Sequence, residues 1–254
     1  MEKKAKNPVG ATEKTLRILE ALRQLNGARV TRIANYLDIS KGTIHNHLST
    51  LVEHEYVVKQ GPKYHLGMRF FELGEFTRRQ TEIYEVAKPE IDTLASETGE
   101  LANLMIEEHG QGIYIYIARG EQAIKLDTRV GTRQYLHTSA LGKAILANMS
   151  GDRFEEIIER HGLVAETPNT VTDKSELVAE LDEIRDRGVA FDGEERAEGI
   201  RCVAAPVTNN EGALIGAVSV SAPSTRLKAE RFREVIPEKV QDTATVIGLN
   251  ASFS

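Results

Sequence analysis

The stretch SKGTIHNHLST, residues 40–50, decides the fold of the first part of this chain. Ser40 is typical of a helix N-cap, because its hydroxyl can accept a hydrogen bond from an unpaired backbone amide of the first turn. Apolar residues follow at helical spacing, at Ile44, Leu48, Leu51 and Val52. This spacing predicts a helix from Ser40 to about Glu55 with one apolar face turned to a core.

The segments around this helix complete a recognisable order of elements. Apolar periodicity predicts two earlier helices, at about residues 11–26 and 31–37. Two short β-prone runs, 56–59 and 63–66, flank a Gly-Pro turn and predict a hairpin. Helix, helix, turn, helix and hairpin is the order of a winged helix-turn-helix, which we predict for residues 1–67.

The outward face of the 40–50 helix suits contact with DNA. Small or hydrogen-bonding side chains predominate there, and no carboxylate occurs before Glu53. Asn and Thr can read base edges, whereas phosphates repel Asp and Glu. The candidate DNA-binding residues are Ser40, Lys41, Thr43, His45, Asn46, His47, Thr50, Lys59 and Lys63. The alternative is an ordinary solvated face on a three-helix core.

The charge distribution favours the DNA-binding interpretation. Residues 1–67 carry 11 Lys and Arg against 6 Asp and Glu, whereas the remainder carries 21 against 32. A basic head on an acidic body is typical of a protein in which only the head binds a polyanion. Lys3, Lys4 and Lys6 extend this basic character into an N-terminal arm that we expect to follow the minor groove.

The remainder of the chain predicts a second domain of the α+β class. Residues 68–87 are polar and helical in character and predict a linker helix, and Pro89 fits the first turn of the next helix. Residues 88–254 then combine helices and strands without repeated βαβ units, which predicts a mainly antiparallel sheet. The predicted strands are 101–107, 113–118, 123–130, 189–192, 201–207 and 214–221, and the predicted helices are 139–149, 152–161, 173–187 and a closing one from 226. The run 226–233 is interpreted as a solvated helix face.

Several sequence blocks resemble one family, the IclR-type transcriptional regulators. They are ISKGTIH (39–45), YHLG (64–67), LHTSALGKA (136–144), RGVAFDGEE (187–195), GIRCVAAPV (199–207) and AVSVSAP (217–223). The resemblance implies a winged helix-turn-helix, a linker helix and a GAF-like effector-binding and oligomerisation domain. It also implies dimers or tetramers on palindromic operators at catabolic promoters. Asn46 stands where the family often has Arg, which implies a different base preference.

The same resemblance implies an effector pocket. Its matching positions are Ala140, Leu141, Asp192, Cys202, Ser219 and Ser221. Elementary chemistry agrees, because amides at a helix start bind anions. Ser219 and Ser221, two apart on a strand, also point to one face. We therefore expect a small organic-acid or sugar-acid effector.

Other classes of function fit the sequence less well. An enzyme acting on small acids, with Cys202 as nucleophile and His137 as base or with Asp192 as a catalytic acid, is the main alternative. An interaction adaptor that has lost DNA binding is another. No cofactor or metal site is expected, since Cys202 is the only cysteine and His45 and His47 lie two apart on a helix. The absence of a signal-like or membrane-spanning apolar run predicts a cytoplasmic protein.

Overall fold

The computed structural model describes residues 6–126 and 128–252 and divides into two compact units, one ending at Gln80 and the other beginning at Thr81. The first unit contains α1 (Gly10–Gln24), α2 (Val30–Leu37), α3 (Lys41–Glu53), β1 (Val57–Gln60), β2 (Lys63–Leu66) and α4 (Arg69–Arg79). The second contains α5 (Glu82–Thr98), β3 (Leu101–Glu108), β4 (Gln111–Arg119), β5 (Arg133–Tyr135), α6 (Ala140–Ala147), α7 (Gly151–His161), α8 (Lys174–Arg187), β6 (Ala190–Gly193), β7 (Ile200–Thr208), β8 (Leu214–Pro223) and α9 (Ile236–Ala251).

The first unit is a winged helix-turn-helix, as predicted. The helices α1, α2 and α3 bury one shared apolar core around Ile18, Leu22 and Ile33. Asp38, with a left-handed φ of 53°, ends α2 and turns the chain into α3. The antiparallel hairpin β1–β2 forms the wing and is tied to the core by the bridge between Ala28 and Tyr64.

One side chain of the predicted apolar face lies outside this core. Ile44, Leu48 and Leu51 are buried, but Val52 is 37% exposed. Leu51 and Val52 point about 100° apart because they are successive residues of a helix. The core of this small unit covers Leu51 but leaves Val52 partly exposed. The buried stripe of α3 is therefore narrower than the sequence predicts.

The predicted linker helix over 68–87 is divided in two. Helix α4 ends at Arg79, Thr81 is extended with φ −81° and ψ 106°, and α5 begins at Glu82. Pro89 consequently lies inside α5 and not in its first turn, which corrects the sequence-based placement. Burial of Ile83, Tyr84 and Ala87 against the second core stabilises the turns before Pro89, even though a proline removes one helical hydrogen bond.

The second unit is a six-stranded antiparallel sheet with helices on both faces. The strand order is β5-β4-β3-β8-β7-β6. Helices α5 and α9 cover one apolar core, and α6, α7 and α8 cover the other. Side chains alternate between them, since Val218 and Val220 face the first core while Ala217 faces the second. Asn103, Ser219 and Ser221 consequently share the α6 face.

Two predictions about irregular segments are wrong. The expected strand 123–130 is a loop over its described residues, and Ile124 and Leu126 are half-buried there without strand pairing. The expected solvated run 226–233 is partly a charged anchor: Arg226 donates to Glu100 Oε2 at 2.6 Å, and Arg231 lies 3.3 Å from Oε1 of the same buried carboxylate. A π-helical turn at Arg231–Val235 then leads into α9.

Within residues 6–126 and 128–252, no helix is long and apolar enough to cross a membrane.

Candidate DNA-binding helix and effector cavity

The start of α3 is organised by Ser40. Its hydroxyl accepts a hydrogen bond from the Thr43 amide at 3.2 Å and lies 2.8 Å from Thr43 Oγ1. Capping satisfies one of the backbone donors that a helix start leaves unpaired. Ser40 and Thr43 therefore shape the first turn of the helix that carries the outward-facing residues.

The candidate DNA-binding residues differ in how they are used within the fold. Lys41, His45, Asn46 and Thr50 are exposed on α3, and the Thr50 hydroxyl donates to the Asn46 carbonyl at 3.2 Å. His47 is half-buried, with its Nδ1 atom 2.8 Å from Thr15 Oγ1 on α1. This contact ties α3 to α1, so His47 has a structural partner that the sequence does not reveal.

The wing adds two more cations. Lys59 and Lys63 are exposed, and Lys59 Nζ lies 5.6 Å from the centre of the Tyr64 ring. Arg29 and Arg32, at the start of α2, are also exposed and were missed by the sequence reasoning. Their signal was the pair of arginines, three residues apart, at the start of the short helix before the turn. Of the predicted arm, Lys6 is exposed, while Lys3 and Lys4 lie outside the described residues.

A cavity of about 360 Å³ lies in the second unit between the sheet and α6. Four of the six predicted effector residues line it: Leu141, Cys202, Ser219 and Ser221. Ala140 and Asp192 are buried next to it but are not part of its lining. Leu101, Leu126 and Ile200 supply apolar wall, so the cavity has both apolar and polar surface.

Asp192 lies near the end of β6, where it pairs with Cys202 of β7 in the sheet register. Its Oδ1 atom accepts from the Glu195 amide at 2.7 Å, whereas Oδ2 is buried and has no hydrogen-bond partner among the described residues. Burial raises the pKa of this carboxyl to about 7, and the nearby Glu195 carboxyl adds to the rise. The carboxyl thus shapes the turn that leads to Arg196.

Asn103 is a lining residue that the sequence reasoning missed. Its Nδ2 atom donates to Ser219 Oγ at 3.1 Å and to Ser221 Oγ at 3.3 Å. The signal was present, because Asn103 is the one polar residue in the apolar run 101–106. Only the register, in which Asn103 pairs with Ser219, shows that the three polar side chains meet.

Arg196 is a second missed lining residue. Its Nε donates to Gln134 Oε1 at 3.2 Å, and Tyr114 donates to the same oxygen at 3.0 Å. Gln134 in turn donates to the Ser139 hydroxyl, the N-cap of α6. In the sequence, Arg196 directly follows Glu194 and Glu195 and lies outside the blocks that predict the pocket.

The start of α6 faces the same cavity. Ser139 accepts from the Gly142 amide at 3.2 Å, and the amides of Ala140 and Leu141 fall in the first turn. A side chain on Gly142 would lie 2.0 Å from the Leu136 carbonyl oxygen, so only glycine fits this close approach. The turn can therefore present its amides to an anion.

Lys143 anchors this turn from behind. Its side chain is fully buried, and Nζ donates to Glu195 at 2.7 and 2.9 Å and to Glu180 at 2.6 Å. Removing one partner from a buried ion pair leaves an uncompensated charge, which is strongly destabilising. Lys143 and Glu195 thus hold the start of α6 against the turn that carries Arg196.

The geometry does not support nucleophilic catalysis at Cys202. Its thiol donates to Ser221 Oγ at 3.0 Å, and burial raises its pKa well above the usual range, which disfavours the reactive thiolate. His137 Nε2 lies 2.9 Å from the Val164 carbonyl oxygen. The proposed base is therefore engaged with the backbone.

A winged helix-turn-helix followed by a ligand-sized cavity defines the class of ligand-responsive DNA-binding proteins. Comparison with protein families makes this specific. The IclR helix-turn-helix domain matches residues 11–61, and the bacterial transcriptional regulator IclR C-terminal domain matches residues 76–249. The chain belongs to the IclR family of transcriptional regulators, which excludes the enzyme alternative.

Individual relatives agree with the family match. The regulator XynR of Escherichia coli K12 is 32% identical over 91% of this chain and 94% of its own length. BhcR of Paracoccus denitrificans is 33% identical over 88% of this chain and 81% of its own. The crystal structure of Thermotoga maritima IclR superposes with a TM-score of 0.79 at 29% identity, covering 95% of this chain and 98% of that one.

Proposed function

We propose that this protein controls transcription of catabolic genes in response to a small organic-acid or sugar-acid effector. The observation that carries the proposal is the cavity of about 360 Å³ under α6, in which polar side chains of β3, β7 and β8 meet the first turn of a helix. Such a mixture of apolar wall and a few convergent polar groups is typical of small-molecule sites.

For the DNA side, we propose that α3 enters the major groove with Lys41, His45, Asn46 and Thr50 outward. Lys59 and Lys63 would contact phosphates from the wing, and Arg29 and Arg32 from α2. The exposure of all eight side chains supports this arrangement. Ser40, Thr43 and His47 would act mainly by holding the helix, which their contacts within the fold support.

We further propose a homodimer or homotetramer that binds a palindromic operator. Helix α4 and the residue before it carry exposed apolar side chains, with Met68 76%, Phe71 65% and Phe76 61% exposed. A second copy covering this surface would remove it from water. Two α3 helices would then read half-sites about 34–36 Å apart.

For the effector side, we propose that Leu141, Cys202, Ser219 and Ser221 contact the ligand directly, with the amides of Ala140 and Leu141 facing its anionic group. Asp192 would support the site from behind. One protein with the same fold, from Microbacterium hydrocarbonoxydans, was crystallised with 4-hydroxybenzoate; it has a TM-score of 0.83, shares 23% identity and covers 96% of this chain and 100% of that one. A boundary of the winged helix-turn-helix at residue 67 and a cytoplasmic site of action are part of the same proposal, whereas the predicted boundary at 87 is not, because Ile83, Tyr84 and Ala87 pack in the second core.

Two experiments test this function. A thermal-shift screen of the full chain against sugar acids, 2-oxo acids and hydroxybenzoates should raise the Tm with at least one acid, since a ligand that binds only the folded state stabilises it. A nuclease footprint on the DNA upstream of its own gene should show paired protected half-sites. A protein that binds neither acids nor that DNA would contradict the proposal.

A further inference from the structure

Two polar groups in the wall of the cavity are left incompletely paired by the protein itself. One is the amide oxygen of Asn103, and the other is the guanidinium of Arg196. Neither belongs to the set of pocket residues that the sequence predicts. Buried polar groups are normally hydrogen-bonded, so the Asn103 oxygen calls for a ligand atom, whereas the half-exposed Arg196 offers N–H donors that a ligand can use.

The Arg196 guanidinium has N–H donors that no protein atom accepts from among the described residues. Within the described residues only Nε forms a hydrogen bond, to Gln134, although a guanidinium carries five N–H donors. NH1 forms an ion pair with Glu166 Oε2 at 3.7 Å, which is beyond hydrogen-bond distance, and Arg196 is 35% exposed. Because Arg196 lines the cavity, its remaining donors are available to a ligand there.

Gln134 places this guanidinium next to the start of α6. It accepts from Arg196 with Oε1 and donates to the Ser139 hydroxyl with Nε2. One side chain thus separates Arg196 from Ser139, the cap of the helix whose first turn lines the cavity at Ser139 and Leu141. An anion in this position would meet guanidinium donors as well as backbone donors, which is a stronger site than a helix start alone.

Asn103 requires a hydrogen-bond donor from the ligand. It is 2% exposed, both of its Nδ2 bonds go to serine hydroxyls, and Oδ1 has no partner among the described residues. An unpaired buried acceptor favours a ligand that supplies a donor. Because the carboxylate of an acid cannot donate, the donor must be a hydroxyl or similar group elsewhere on the ligand.

We infer that Arg196 and Asn103 set the specificity of the cavity: Arg196 binds the carboxylate of the effector, and Asn103 Oδ1 accepts from a hydroxyl of the same molecule. The effector is then a small hydroxy acid whose carbon frame contacts Leu101, Leu126 and Ile200. This inference rests on the proposed function in one respect, that the cavity is the effector site.

Matched probes separate the two contributions. Isothermal titration calorimetry on the full chain would use 4-hydroxybenzoate, benzoate and 4-hydroxybenzamide, and the aliphatic set lactate, propionate and lactamide. In each set one probe lacks the hydroxyl and one lacks the charge. We expect the hydroxy acid of at least one set to bind about tenfold or more tightly than both of its partners, because each lost hydrogen bond leaves a buried group unpaired.

Two variants assign these preferences to residues. Arg196→Gln should strongly reduce the preference for acid over amide while keeping the preference for the hydroxylated probe. Asn103→Ala should do the reverse. Arg160→Gln, which removes an exposed arginine of α7 outside the cavity, is the control and should keep both preferences. The crossed pattern distinguishes specific contacts from a general loss of folding, which would weaken all probes together.

The inference is overturned if Arg196→Gln keeps the wild-type preference for acid over amide, if Asn103→Ala keeps the preference for hydroxyl, or if the wild type binds no hydroxy acid of either set at millimolar concentration. If the crossed pattern appears but the acid does not alter DNA binding, the specificity inference stands. In that case the proposed regulatory role of the acid fails.

Discussion

Among single residues, Asp192 carries the clearest consequence for pH. Its pKa rises from the ordinary 3.8 to about 7 because burial penalises the charged form. The folded state therefore holds a proton that the unfolded chain releases, and folding stability falls as pH rises from about 4 towards 7. Above pH 7 this loss is complete and the stability contribution of Asp192 is flat.

Asp192→Asn should remove this pH dependence. Relative to wild type, the free energy of unfolding of the variant should improve between pH 5 and pH 8 by on the order of 2 kcal/mol. Urea denaturation at both pH values measures the difference. The exposed carboxyl variant Asp182→Asn is the control and should show no such change. An equal effect of Asp192→Asn at both pH values would contradict the burial argument.

Asn46 is the residue on which base reading should depend most. It is exposed in the middle of α3, and its amide can make two hydrogen bonds to an adenine edge. Asn46→Ala should weaken binding to the operator by about 1–3 kcal/mol while leaving binding to a scrambled duplex unchanged. Fluorescence anisotropy on both duplexes measures this. An equal loss on both would show a phosphate contact and not base reading.

Single residues also show where sequence reasoning stops. The resemblance to the IclR family predicted Leu141, Cys202, Ser219 and Ser221 as pocket residues, and all four line the cavity. The same resemblance did not predict Asn103, whose position at the cavity depends on strand register. Nor did it predict Arg196, whose position depends on the turn after β6. Asp192 was predicted as a direct ligand contact, yet its Oδ1 holds the Glu195 amide, a bond between neighbours that spacing alone does not indicate.

At the scale of elements, the helix that was easiest to predict is α3, because capping and apolar spacing agree. The capping geometry gives a testable stability effect. Ser40→Ala should lower the free energy of unfolding of the first unit by about 1 kcal/mol, since the Thr43 amide loses its partner. Urea denaturation followed by far-UV circular dichroism measures it.

Two further variants serve as controls for the Ser40→Ala measurement. Ser49→Ala, at an exposed position in the body of the same helix, should cost much less. Ser40→Asp should restore stability, because Asp is also a good N-cap residue. If Ser40→Ala and Ser49→Ala proved equally stable, the cap would contribute nothing and the start of α3 would be fixed by packing alone.

Other elements could not be predicted because tertiary contacts override local pattern. Residues 123–130 alternate in character as a strand would, but their described part is a loop whose Leu126 lines the cavity. Pro89 signals a helix start, yet burial of Ile83 and Ala87 begins α5 earlier. Arg226 and Arg231 were taken as surface because their partner, Glu100, lies more than a hundred residues away in sequence.

At the scale of the whole molecule, the exposed apolar face of α4 bears on assembly. The double variant Phe71→Glu with Phe76→Glu places charges on the surface that a second copy would cover, so the proposed oligomer should dissociate at micromolar concentration. Size-exclusion chromatography with light scattering measures the mass. Glu72→Gln, an exposed change on the same helix, should leave the mass unchanged. An unaltered mass in the double variant would remove α4 from the interface.

In the proposed function, an acid bound in the second unit controls DNA binding by the first unit. The most direct test is the Kd of the full chain for the DNA upstream of its own gene, measured by anisotropy with and without the acid that gives the largest thermal shift. We expect the Kd to change about tenfold or more, equivalent to a coupling of about 1.4 kcal/mol. An unchanged Kd with the cavity saturated would show that the acid does not control DNA binding.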